Sequence, residues 1–598
     1  MLVFILYITG FALIILVTCS LNNQKNVMAY ITHKKISGNT YYYAEQRVWK
    51  DGKSRREWQK YLGTIDRIID AVEGKHLTPG YAVLFELGGV AAYLNIAREI
   101  QMVEKIDSML PKRKQGLSIG EYLLIAVINR GLEAVSKRSM WSWFQDTVLL
   151  NYFPGIRKEQ LSSQRFWDHM NLVPEEKIIP VWMEILNSAL SSNHIDLSSV
   201  SFDETNFYTF ISTFNKRCTI PKRGKNKQGR SNLRQVNYAL FCSKESHMPL
   251  YFDVYQGNTH DSTEFKKILP GFKAAFKDKI TPGSTITIIF DKGNNSPEAI
   301  SEIDQSPFHF VGSLKLSDHN ELALISNKDD RFETTGHPQL ESIKALRLQK
   351  VVHGKQRTVI VTFNQNLYND QIKTLYNDLE RCQEKLSELS QRLTDRAKGL
   401  ITRGKKPTKA SVGKNVKEIL KRQYMKQLFI VDYLQKNTIP LISYSLDGEE
   451  FAKLTDTYLG KKILFTDNHD WKTEDIILAY HGQYIIENIF KETKDRKTGC
   501  WWPVNHWTDQ KIKVHGLYCT ITLLIRALMI MKTREENINL SLGRLHKKLN
   551  GIKQVINIYP KQKGKGNRKE RKTRTLTKMD EIQEKLFELF KMNDYVAI

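Results

Sequence analysis

Two stretches decide the fold: SVSFD (Ser199–Asp203) and TITIIFD (Thr285–Asp291). Each is a short run of apolar, β-branched and aromatic residues closed by an aspartate, as a buried strand reads when its last residue leaves the apolar interior. Between them QVNYALFCS (Gln235–Ser243) and PLYFDVYQGN (Pro249–Asn258) read as strands, and DSTEFKKILPGFKAAF (Asp261–Phe276) as a helix. SPEAISEID (Ser296–Asp304) then reads as a short helix and FHFVGSL (Phe308–Leu314) as a strand. The order is β-β-β-α-β-α-β. It predicts that the strands ending in Asp203 and Asp291 lie side by side and parallel, with both carboxylates at one sheet edge.

That element order is the order of the ribonuclease H-like fold. A third acid, Glu487, lies in EDIILAYHGQYIIENIFKETK (Glu474–Lys494). There Tyr480, Gln483, Glu487, Lys491 and Lys494 repeat at helical spacing along one face, while Ile485 and Ile489 point to a core. Taken singly the acids have a plain reading: an aspartate at a strand end caps a turn, and a glutamate on a helix is solvated. Taken together they suit two-metal phosphodiester chemistry, in which carboxylates converge on ions about 4 Å apart. Magnesium prefers such oxygen ligands. The Lys292-Gly293-Asn294 turn would present Asp291 and let a phosphate approach closely. Asn258 and Asp261 read as helix capping near the same edge.

The chain has 598 residues, more than one core normally organises, so it is multidomain. An apolar fraction of 41% and an aromatic fraction of 10% exclude wholesale disorder. Ninety Lys and Arg against 64 Asp and Glu give a net charge of +26, which favours a polyanionic partner, nucleic acid first. The six cysteines are scattered singly, with neither a zinc-knuckle nor a disulfide spacing, as in a reducing compartment. The apolar run Leu2–Leu21 conflicts with that reading, being long enough to span a bilayer or act as a signal. No Lys or Arg precedes it, and a basic β unit follows Met28, so translation is expected to begin at Met28; a membrane anchor is the other reading.

The expected organisation is multidomain α/β: a ribonuclease H-like mixed β-sheet flanked by helices with a large insertion, preceded by a small β meander and a helical domain. Residues 1–27 are the apolar leader. A basic β-rich module occupies 28–80, its three strands separated by the turns SGN and KDGK. A helical domain, 81–195, could carry a DNA-binding helix or be a plain bundle. The catalytic core spans 196–314 and 475–540, split by an insertion at 315–474. A 4-3 stripe from Tyr368 to Leu393 predicts a long helix in that insertion, closed intramolecularly rather than dimerised. KIKVHGLYCTITLLIRALMIM reads as a buried helix under the sheet, and 541–598 as a basic tail with an amphipathic helix.

These motifs resemble the DDE transposases of insertion sequences, specifically the IS-four group and its relatives with a large insertion before the glutamate. Their signature is Y-(2)-R-(3)-E-(6)-K; here it reads Tyr480, Gln483, Glu487 and Lys494, with Gln483 in the arginine position. The resemblance also covers SFDETNFYTF, FDKGNNS and WPVNHWTDQKIKVHGLY, within roughly Ser198 to Met531. It implies that Asp203, Asp291 and Glu487 are catalytic and bind two Mg2+ ions, for which Mn2+ can substitute. It implies DNA contacts from Tyr480 and Lys494, with Gln483 lacking the phosphate-contacting cation of the usual arginine; Gln483 and Lys491, on the same helical face, are expected beside the DNA. The implied partners are double-stranded DNA, as terminal inverted repeats and target, and a second copy of the chain in the DNA complex. The implied setting is cytoplasmic and DNA-associated, with no membrane. The implied activity is cut-and-paste transposition; the alternative is a descendant that binds DNA and no longer cuts.

Overall fold

The computed structural model describes residues 2–8, 11–17, 29–50, 52–73, 79–111, 116–279, 285–436, 438–495, 499–502, 504–559 and 571–596. The chain divides into two compact units, Met1–Leu84 with Val555–Leu576, and Phe85–Gln554 with Thr577–Ile598.

In the first unit the apolar leader is two seven-residue strands, Leu2–Ile8 and Phe11–Val17, paired antiparallel, instead of one continuous span. Met28, the expected start, lies outside the described residues. The basic module is a meander of Ala29–Ile36, Asn39–Lys50 and Lys53–Gly63. Its first hairpin turns on Ser37 and Gly38, both at positive φ (49° and 82°), the backbone that a tight two-residue turn between twisted strands requires. Most of the basic linker Lys561–Arg574 lies outside the described residues; its end forms a strand, Arg571–Leu576.

The second unit is built on a mixed nine-stranded sheet. Its strands are β1 (Ser199–Thr209), β2 (Arg234–Ser243), β3 (Pro249–Gln256), β4 (Thr287–Phe290), β5 (His309–Leu314), β6 (Glu333–Thr334), β7 (Ile343–Val352), β8 (Lys355–Asn364) and β9 (Lys461–Thr466). They lie in the order β6-β7-β8-β9-β5-β4-β1-β2-β3. β4 is parallel to both β1 and β5, and every other pairing is antiparallel. All four residues of β4 are buried, as a central parallel strand requires. Residues 315–474, expected as an insertion, supply β6 to β9 and so extend the same sheet.

Helix α1 (Asp261–Phe276) covers one face of the sheet and is followed in sequence by α2 (Pro297–Asp304). The long helix α3 (Gln365–Ala397) buries Leu375, Leu379, Cys382, Leu386, Leu389 and Leu393. They pack against the helix Lys409–Ile419 and the hairpin Phe429–Leu446, so the heptad-like stripe is satisfied within the chain. α4 (Thr473–His481) and α5 (Gln483–Lys494) lie on the sheet face opposite α1. α6 (Asp509–Glu535) is long and apolar enough to cross a membrane, yet 89% of its most apolar window is buried inside the fold. Helices of residues 88–192 pack around it, and α6 itself packs on β3.

Gly312 on β5 has the Phe290 and Phe465 rings where a side chain would start, 2.7 Å from each. Gly312→Val is therefore expected to cost about 1–3 kcal/mol through overpacking. A lowered Tm in thermal denaturation checks this.

Candidate active site

Side chains on a strand alternate between faces. Phe202 and Phe290 both point to the α1 face, where Phe265 packs on them with ring centroids 4.5 Å and 5.1 Å away. Their successors, Asp203 and Asp291, therefore share the opposite face. The parallel register sets Phe290 beside Phe202, which brings the two aspartates to neighbouring positions. Asp203 does not end its strand as expected: β1 continues to Thr209, and Asp203 pairs with Leu240 in mid-strand. Asp291 directly follows β4.

Asp291 is held by two hydroxyls on one oxygen. Ser313 Oγ donates to Asp291 Oδ1 at 3.1 Å and the Tyr480 hydroxyl donates to the same atom at 2.8 Å. Tyr480 is buried, which raises its phenol pKa, with the Asp291 charge adding to the rise. Tyr480 thus sits inside the carboxylate network and in the wall of the cleft beside it. The helix breaks at Gly482 between α4 and α5. Gln483, just past the break, is also buried, and its Nε2 donates to the Phe202 carbonyl at 2.7 Å. That bond ties α5 to the strand carrying Asp203. Glu487 and Lys491 remain exposed on α5.

Burial pushes the Asp203 carboxyl from 3.8 up to about 7; Asp291 and Glu487 add to the rise, and Lys227 opposes it. Three carboxylates therefore feel one another. Lys494 bonds the Thr205 hydroxyl and stands 5.6 Å from the Phe207 ring centroid. Burial lowers it to about 8, with Lys227 pushing the same way and Asp203 opposing. Lys227, whose Nζ donates to the Glu204 carbonyl at 3.1 Å, was not anticipated. Its signal was the basic run KRGKNKQGR (Lys222–Arg230) in the β1–β2 connection. Ser313 gave no signal beyond its place at a strand end.

A cleft of about 1720 Å³ is lined by Asp291, Ser313, Tyr480, Gln483 and Glu487, and Asp203 is not among its lining residues. Lys244, Lys292, Lys315, Lys453, Lys461 and Lys462 share its walls. An all-oxygen donor set with mutually repelling carboxylates suits a hard divalent cation, and both hydroxyls bind the same Asp291 oxygen, leaving Oδ2 open. Among the described residues, however, no three His, Cys, Asp or Glu side chains stand close enough to share one ion. Asp203 and Asp291 lie on neighbouring strands of one sheet face, and Glu487 lies on α5 across that face.

Residues 200–525 match the protein family described as the transposase DDE domain. The match takes in more than half of the chain, which therefore belongs to the DDE transposase family. A cryo-EM structure described as the piggyBac transposase synaptic complex with hairpin DNA is similar at 9% identity, over 79% of this chain and 82% of that one, with a TM-score of 0.34. No curated protein matches the sequence significantly.

Because the folded chain holds the Asp203 proton more tightly than the unfolded chain does, the contribution of this group to stability is full below about pH 4 and is lost as the pH rises through about 7. Asp203→Asn removes that loss. In EDTA at pH 8 the variant is expected to melt about 3 °C or more above the wild type, with the gap shrinking at pH 5. Differential scanning calorimetry at both pH values checks this; equal Tm at pH 8 contradicts it.

Proposed function

We propose that this DDE transposase is a metal-dependent enzyme of the IS-four type that cleaves DNA at the ends of an insertion sequence and joins them to target DNA. The observation that carries this reading is the in-register placement of Asp203 beside Asp291 on adjacent parallel strands, with Glu487 on the helix across that face. The strand order β3-β2-β1-β4-β5, with β4 parallel to its neighbours, supports a ribonuclease H-like core.

In this reading Asp203, Asp291 and Glu487 hold divalent cations, Mg2+ with Mn2+ as substitute. Bound cations supply Lewis-acid activation of the attacking oxygen and stabilisation of the leaving oxygen. Tyr480 and Ser313 fix the rotamer of Asp291, and Gln483 fixes the height of α5 over β1. Gln483 is then a positioning residue and not the phosphate contact of the Tyr-Arg-Glu-Lys signature. Lys491 and Lys494 flank Glu487 on its DNA side, and the cleft lysines neutralise phosphates of the bound strand. Double-stranded terminal repeats and target are the DNA partners, the complex is a dimer, and the enzyme works DNA-associated in the cytoplasm. A second reading, a descendant that binds DNA without cutting, is favoured by Gln483 in the arginine position.

Cleavage of a labelled duplex bearing the element's own ends separates the two. Mg2+-dependent nicking at the end boundary is expected, abolished by EDTA. Asp203→Asn is expected to lower it about 1000-fold, as loss of roughly 4 kcal/mol of transition-state stabilisation implies. DNA binding with no cleavage under any divalent ion supports the second reading.

A further inference from the structure

The meander of the first unit carries an arrangement that the catalytic core does not use. Residues 29–63 hold eight Lys and Arg against three Asp and Glu. One face of the sheet is organised about a single carboxylate, Glu45, which is 3% exposed. Glu45 accepts from the Tyr30 hydroxyl at 3.1 Å and from Gln59 Nε2 at 2.8 Å. It also pairs with Arg47 Nε at 3.2 Å and Arg56 Nε at 3.1 Å. A carboxylate this buried is costly unless its hydrogen bonds are met, and meeting them here fixes two guanidinium groups.

The strand register sets Arg47 directly opposite Arg56. Like charges at such positions repel, and the shared Glu45 carboxylate offsets only one of the two positive charges. Both contacts to Glu45 use Nε; Arg56 Nη1 donates to Gln59 Oε1 at 3.2 Å, and the two side chains remain 40% and 41% exposed. Planar, pre-oriented guanidinium forks are what phosphate oxygens bind best.

The neighbouring rings decide between double and single strands. Tyr61 packs on Tyr41 and Tyr43, with centroids 6.0 Å and 5.3 Å away, and the Lys34 ammonium sits 5.3 Å from the Tyr43 centroid. These rings are engaged with one another and with a cation, whereas single-stranded binding needs open ring faces for bases. Trp49, at the hairpin end, stays open. The face thus offers fixed cations in place of a stacking platform.

The geometry points to this sheet face as a docking surface for duplex DNA, with Arg47 and Arg56 on one phosphate backbone and Lys34 beyond them. It rests on the reading of the chain as an enzyme that acts on DNA, and adds a holding surface of its own.

The test uses the full-length protein and a fluorescein-labelled duplex of about 30 base pairs and arbitrary sequence, with anisotropy read across a salt series. Replacing both arginines (Arg47→Ala with Arg56→Ala) is expected to lower the slope of log affinity against log salt by about 1.8, roughly 0.9 per phosphate contact. An unchanged slope in a variant of wild-type Tm overturns the proposal. Hydrogen exchange on the wild type guards against a misfolded variant: the duplex is expected to protect residues 29–63, and absence of protection overturns the proposal. A single strand of equal length competing as well as the duplex, or preferential binding to vesicles of anionic phospholipid, overturns the duplex assignment. A protein that shows the expected slope change and fails to cut leaves this surface standing and removes only the catalytic reading.

Discussion

The parallel pairing of β4 with β1 is the constraint on which the site depends. It fixes Phe290 beside Phe202, and a shift of one residue would turn either aspartate to the α1 face, because strand side chains alternate with a period of two. The register is held by aromatic packing: Phe202, Phe265 and Phe290 form one cluster on that face, joined through Phe241 to Phe272, whose rings stack at 4.1 Å. The apolar side of two strands thereby sets the polar side, and the carboxylates lie where the hydrophobic core puts them.

The same placement has an energetic cost. Asp203 is pushed up to about 7 chiefly by burial, a penalty that a cation beside it would relieve. The surrounding groups are arranged to make the cost tolerable. Lys227 and Lys494 lie near Asp203, two hydroxyls hold Asp291, and Gln483 pins α5 to the backbone of Phe202. Sites that are poised for chemistry commonly trade stability for it.

The element order of the core was legible because it rests on local signals: buried apolar runs for the strands and 3.6-residue spacing for the helices. The meander was legible from its glycine turns. Three features were not. β6 to β9 extend the sheet through pairings distant in sequence, such as Val311 with Thr466, which periodicity cannot reveal. Asp203 falls in mid-strand because ETNFYT continues the β pattern beyond it. The stripe from Tyr480 to Lys494 read as one helical face, but the break at Gly482 divides it, so Tyr480 and Gln483 turn inward. Helical spacing says which residues share a face only while the helix is continuous.

We propose that Asp203, Asp291 and Glu487 form one divalent-cation site. Electron paramagnetic resonance of Mn2+ titrated into the full-length protein with duplex DNA tests it most directly. Saturable Mn2+ binding is expected, lost in Asp203→Asn and Asp291→Asn and weakened in Glu487→Gln. Mn2+ binding unchanged by all three substitutions, or absent from the wild type with DNA, would contradict it.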